Sequence, residues 1–157
     1  MRILQALKKI KHLDRKKEKN VKRIKRWCSY LTSDGEPPYD LAGITNLIKS
    51  ANDLIVERNR LRHQIHKTNA TVTVEFQGQE MTIDELIILR TLTLTSKIEV
   101  QKAMRRKEKN YGHEKDDKVI MQYDPMLRDK KIDSLECVMD EVDALLDHVN
   151  ISTELIE

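Results

Sequence analysis

The chain has 157 residues, of which 35% are charged and only 4% aromatic, and its formal net charge is +3. With 4 Gly and 3 Pro, this composition favours long amphipathic helices over a β-sandwich or a doubly wound sheet. The length predicts a single domain over residues 1–157, and no apolar run is long enough to predict a transmembrane helix or a membrane partner.

The first predicted helix covers residues 2–32. Its apolar residues recur on the a/d track that is typical of a coiled coil: Ile3, Leu7, Ile10, Val21, Ile24, Cys28 and Leu31. The following loop contains Asp-Gly and Pro-Pro, both of which interrupt helices. Asp40 is the expected N-cap of a second helix over 41–67. On its apolar face, we expect Arg58 either to extend its charge to solvent or to pair with a carboxylate.

The apolar period changes after the second helix. Residues 71–82 are predicted as a β insertion, in which Val72–Phe76 pairs with Gln79–Met81 around the turn Gln77-Gly78. Because two strands alone are marginally stable in water, we expect a third strand near 118–123.

Two further helices complete the prediction, over 83–109 and 126–149. Thr82 and Glu85 form a capping-box signature before the third helix, and Asp124-Pro125 opens the last helix. The first half of the third helix is apolar nearly all round, which predicts burial on most faces. The expected core residues are Leu86, Leu89, Leu135, Met139, Val142 and Leu146. The predicted fold is mainly α: an up-down bundle of four helices with a small β-hairpin or three-stranded sheet at one end.

Charge is distributed unevenly along the chain. Residues 8–26 contain eleven Lys or Arg and two acidic residues, whereas residues 126–157 contain nine acidic and three basic ones. The candidate partner-binding residues are Lys16, Lys19, Lys22, Arg23 and Arg26. They either pair with acidic helices of this chain or a neighbouring copy, or contact the phosphates of DNA or RNA. The complementary charges within one sequence and the scarcity of aromatics near 8–26 favour the first alternative.

The sequence contains no pattern that predicts catalysis. Walker, GxGxxG, HExxH, GxSxG and CxxC motifs are absent. His63 and His66 provide only half of a metal site, and neither Cys28 nor Cys137 has an indicated base. We therefore predict no catalytic residue, no metal site, no cofactor and no enzymatic activity.

Four segments occur in an order that resembles a known family. They are Ile65-His66-Lys67-Thr68-Asn69, Thr82–Leu94, Val119–Pro125 and Thr153-Glu154-Leu155. In this order they resemble the septicolysin-like family, small helical proteins of bacteria and phages whose function is unknown. The resemblance implies no catalytic residues. Within the first segment, Asn69 is expected to end the second helix, through a left-handed conformation or by capping carbonyls.

The resulting hypothesis is a non-catalytic structural or assembly protein. It would form a homo-oligomer or part of a larger particle such as a phage virion, because its long a/d tracks expose apolar stripes. The alternative is a nucleic-acid-binding module that uses the basic first helix. Because Met1–Lys11 resembles no signal peptide, we expect a cytoplasmic location, or a virion location if a phage encodes the protein.

Overall fold

A computed structural model describes residues 1–108 and 118–156, which are mainly helical with one two-stranded antiparallel sheet. The elements are α1 (Ile3–Trp27), a 3-10 helix (Thr32–Asp34), α2 (Leu41–Thr71), β1 (Thr73–Phe76), β2 (Gln79–Thr82), α3 (Ile83–Ile88), a π-helical segment (Leu89–Leu94), α4 (Thr95–Ala103) and α5 (Pro125–Ser152). The chain, predicted as one domain, divides into two compact units. Unit 1 comprises Met1–Val72 with Val149–Glu157, and unit 2 comprises Thr73–His148.

Unit 1 is built on the antiparallel packing of α1 against α2. Its buried cluster consists of Ala6, Ile10, Leu13 and Leu61, with Leu54, Ile65 and Leu155 packed around it. Beside this cluster, the Arg58 guanidinium lies 3.1 Å from Asp14 Oδ1. Of the two alternatives for Arg58, the structure confirms pairing with a carboxylate.

The C-terminal tail is fixed to unit 1 by backbone hydrogen bonds. The N–H of Ile3 donates to the carbonyl of Thr153 at 3.1 Å, and the N–H of Leu155 donates to that of Met1 at 2.8 Å. The buried hydroxyl of Thr68 accepts the N–H of Ile156 at 2.9 Å. Polar backbone at both ends of the chain is thereby satisfied within the unit.

The prediction that Asn69 ends the second helix is wrong. Helix α2 continues to Thr71, and Asn69 is a buried helical residue. Among the described non-glycine residues, only Gln77 has a positive φ. The physical reason is that Thr68 and Asn69 lie on the buried side of the last turns, where packing sustains the helix beyond the polar sequence.

Unit 2 begins with the predicted hairpin, which the structure confirms. Thr73 pairs with Thr82 and Phe76 with Gln79, and the two turn residues Gln77 and Gly78 have φ of 49° and 77°. Positive φ at both turn positions suits the twist of a two-residue hairpin. The predicted third strand is wrong: residues 118–123 have no regular secondary structure, and Ile120 is 85% exposed. Their β-branched composition favours a strand, but within the described residues they pair with no strand edge.

The core of unit 2 joins the third predicted helix to α5. Leu86, Leu94, Ile98, Leu135 and Val142 are buried, with Leu89, Met139 and Leu146 partly buried against them. All six predicted core residues therefore contribute. Burial of the third helix on most faces is wrong, because Ile88 and Leu92 are 51% and 61% exposed. This helix also ends at Ala103 instead of 109, just before the mutually repelling charges of Arg105-Arg106-Lys107.

Candidate functional site

A continuous row of basic side chains occupies one face of α1. We call it the α1 basic row; its members are Lys8, Lys11, Arg15, Lys19, Lys22 and Arg26. They are spaced three or four residues apart, so they lie one above another on the helix surface. All six are exposed. At 1.5 Å per residue, the row extends about 27 Å along the helix.

The row lies on the side of α1 opposite to its packed face. The buried residues Ile3, Ala6, Ile10 and Leu13 follow the same spacing but point about 180° away. Packing against α2 therefore leaves the basic side chains directed outward. The sequence folds in this way because apolar and basic residues occupy separate stripes of one helix.

Three of the predicted partner-binding residues, Lys19, Lys22 and Arg26, belong to the row. The other two, Lys16 and Arg23, lie seven residues apart and follow one flank of it. The sequence prediction missed Lys8, Lys11 and Arg15. Their spacing of three and four residues was the signal that would have found them.

The two ion pairs that α1 forms with described residues lie outside the row. Lys9 Nζ lies 2.5 Å from Glu57 Oε1, and this hydrogen bond holds the pKa of the Glu57 carboxyl below its ordinary value. Asp14 is the α1 partner of Arg58. Within the part of the chain that the structure describes, no row member takes part in an ion pair. The row therefore keeps its positive charge unneutralised.

Two acidic residues of α5 have basic partners on other elements of unit 2. Asp143 accepts two hydrogen bonds from Arg90, at 2.8 and 3.0 Å, and this contact lowers the pKa of Asp143. Lys102 Nζ lies 3.1 Å from Glu136 Oε1. Two carboxylates of the acidic helix are therefore neutralised without α1.

An aromatic cleft lies at the end of the basic row. We define it by Trp27, Tyr30, Tyr39 and Glu36, which line a cavity of about 650 Å³ together with residues of the loop and the start of α2. The Arg26 guanidinium lies 4.8 Å from the centroid of the Trp27 ring. The last charge of the row thus contacts the first wall of the cleft.

The start of α2 holds Tyr39 in place. Asp40 Oδ1 accepts the N–H of Gly43 at 2.7 Å, which confirms Asp40 as the N-cap. A Cβ at position 43 would come within 3.1 Å of that carboxylate and 3.3 Å of Tyr39 Cβ. The missing side chain of Gly43 lets the cap and the aromatic ring approach the helix closely.

Unit 2 contains a second cavity, of about 580 Å³, lined by Met104, Tyr123 and Leu127 among others. Arg128 donates to the carbonyl of Met104 at 2.6 Å and lies 5.4 Å from the centroid of the Tyr123 ring. The Arg128 guanidinium therefore contacts other residues of the cavity wall. Asp124, which also lines the cavity, accepts the N–H of Leu127 at 3.2 Å at the start of α5.

Other chemical candidates remain dispersed. His63 and His66 are exposed, and Cys28 and Cys137 are exposed free thiols. Among residues 1–108 and 118–156, no three metal-ligating side chains are grouped to hold an ion. No helix in those ranges has both the length and the apolar character needed to cross a membrane.

No protein-family model, curated protein or solved structure matches this chain. The resemblance to the septicolysin-like family stays a prediction.

Proposed function

We propose that the protein binds nucleic acid along the α1 basic row. The observation that carries this proposal is the alignment of six exposed, unpaired cations on about 27 Å of one helix face. A polyanion with regularly spaced charges is the natural complement of such a row. Binding through phosphates would be independent of base sequence and driven by counterion release.

The ion pairs within each unit leave the α1 basic row available to an external partner. Lys9 forms an ion pair with Glu57 of α2, whereas Glu136 and Asp143 form ion pairs with basic side chains of unit 2. The six row members keep their charge after these pairs are formed. The aromatic cleft beside Arg26 is a second supporting feature, because proteins that bind single-stranded nucleic acid stack bases on aromatic side chains. Pairing of the row with an acidic helix would not require such a cleft.

The test compares two variants of equal net charge. The row variant carries Lys11→Gln, Arg15→Gln, Lys19→Gln and Lys22→Gln. The control variant carries Lys49→Gln, Arg60→Gln, Arg62→Gln and Lys97→Gln, all exposed positions outside the row. Fluorescence anisotropy with a labelled mixed-sequence oligonucleotide measures the affinity of each. We expect the row variant to lose ~10-fold or more and the control to lose far less, because the row provides the phosphate contacts. Equal losses would attribute binding to net charge alone and would contradict the proposal.

Self-association is the second candidate, and one observation favours it. Ile88, Leu92 and Val100 are exposed apolar side chains along α3, the π-helical segment and α4. Apolar residues left in water along one helical stretch are typical of a protein–protein contact. Such a contact would place the chain in a homo-oligomer or a larger particle. The arrangement of the helices as an up-down four-helix bundle also stays a prediction.

Size-exclusion chromatography with light scattering separates the two candidates. Leu92→Lys should convert an oligomer to a monomer if these residues form the contact, while Thr91→Lys adds the same charge at a polar exposed neighbour as the control. A wild-type protein that elutes as a monomer at micromolar concentration would remove self-association. Absorbance in the nucleic-acid band under the same peak would instead support the first proposal.

A further inference from the structure

The aromatic cleft is the feature of unit 1 that phosphate binding leaves unexplained. Three of the six aromatic residues in the sequence line this single cavity. Tyr30 is 53% exposed although its ring is largely apolar. An apolar ring that folding leaves in water is available to a flat, partly apolar ligand.

The dimensions and chemistry of the cleft suit a nucleobase. Its volume of about 650 Å³ falls within the range of small-molecule sites and can hold a base with its sugar. Aromatic faces stack on any base, since every base has a π face. The Glu36 carboxylate on the lining can accept a hydrogen bond from an N–H group on the Watson–Crick edge of a base, such as N3–H of thymine.

The location of the cleft links it to the basic row. Arg26 is both the last member of the row and the cation that lies over Trp27. A strand whose phosphates follow the row would therefore bring its next nucleotide to the cleft. A base inside a duplex is stacked and paired, so only an unpaired base can enter without disrupting the helix.

We propose that the aromatic cleft takes an unpaired base of a single-stranded nucleic acid whose phosphates lie on the α1 basic row. This inference rests on the proposed function of the row and names its substrate class. Single-stranded binding proteins commonly combine a positively charged track with aromatic stacking platforms. The row supplies sequence-independent affinity, and the cleft supplies the preference for unpaired strands.

The experiment uses three ligands with the 157-residue chain: a short oligothymidylate, a duplex of equal length, and an abasic deoxyribose-phosphate strand of equal length. Anisotropy gives the affinities, and the fluorescence of Trp27, the single tryptophan of the chain, reports on the cleft. We expect oligothymidylate to bind about tenfold more tightly than the abasic strand, because stacking adds to phosphate contacts. Trp27 emission should change more with oligothymidylate than with the abasic strand, because the base contacts the ring directly whereas phosphates reach it only through Arg26.

Two substitutions at one exposed position provide the matched control. Tyr30→Ala removes one of the three stacking rings and should lower the affinity for oligothymidylate more than the affinity for the abasic strand. Tyr30→Phe keeps the ring and should keep the preference. Equal binding of both strands by the wild-type protein, with Trp27 emission unchanged, would overturn the cleft while leaving the row in place. Binding of none of the three ligands would overturn the proposed function itself, and the cleft proposal with it.

Discussion

Val142 of α5 is fully buried in the cluster that includes Leu86 and Leu94. Val142→Asp would place a carboxylate there, and we expect it to lower the free energy of unfolding by ~3 kcal/mol or more. The matched control is Ala144→Asp, an exposed position two residues further along the same helix. Urea denaturation of the three proteins measures the difference. A Val142→Asp protein as stable as the control would mean that this face of α5 is not packed.

The ion pair between Arg90 and Asp143 should make the free energy of unfolding depend on pH in the acidic range. The hydrogen bond from Arg90 holds the pKa of Asp143 below its ordinary value of 3.8. A carboxyl whose pKa is lowered in the folded state stabilises the fold at pH values above its pKa in the unfolded state. This contribution is lost as the pH falls through its pKa in the folded state. Both side chains are more than one third exposed, so the effect should be small.

Asp143→Asn should therefore lower the melting temperature at pH 7 and leave it less changed at pH 3. Asp140→Asn, an exposed carboxylate on the same helix, is the control and should have little effect at either pH. Thermal melts followed by circular dichroism at the two pH values provide the measurement. If both variants lose the same amount at pH 7, the Arg90 contact does not stabilise the fold.

At the scale of elements, the start of α3 is fixed by a reciprocal cap. Thr82 Oγ1 accepts the N–H of Glu85 at 3.2 Å, and the N–H of Thr82 donates to Glu85 Oε2 at 2.7 Å. Thr82→Ala removes the first bond, and we expect a loss of ~1 kcal/mol in urea denaturation. Thr91→Ala, at an exposed helical position, removes no cap and should be neutral or slightly stabilising. Equal effects of the two substitutions would contradict a role for the cap.

Local signals predicted the elements that local chemistry determines. The capping box at Thr82, the N-cap at Asp40 and the hairpin turn at Gln77-Gly78 are each encoded within four residues, and the structure confirms them. The prediction of a third strand near 118–123 was wrong because a strand must pair with the edge of another strand, and composition alone does not show whether such an edge is present. The prediction for Asn69 was wrong because packing stabilises α2 beyond this residue, although Asn favours helix ends.

At the scale of the whole molecule, unit 1 carries both parts of the candidate site. Charge density predicted a basic segment over residues 8–26, and the spacing of three and four residues along the predicted first helix was enough to find the full row. The aromatic cleft could not be predicted, because Trp27 and Tyr39 are separated by a loop without periodicity. Only the return of the chain from α1 into α2 brings these rings to one cavity. Unit 2 carries the exposed apolar residues Ile88, Leu92 and Val100, and self-association through them is tested separately.

The measurement that tests the central claim most directly is the salt dependence of single-strand binding. Six phosphate contacts predict that the logarithm of the affinity falls against the logarithm of salt concentration with a slope of about −4 for a single strand. The row variant, with four of six cations removed, should show a slope of about −1.4, and the equally charged control variant should keep the wild-type slope. A wild-type slope near zero, or the same slope in the row variant and the wild type, would contradict binding along α1.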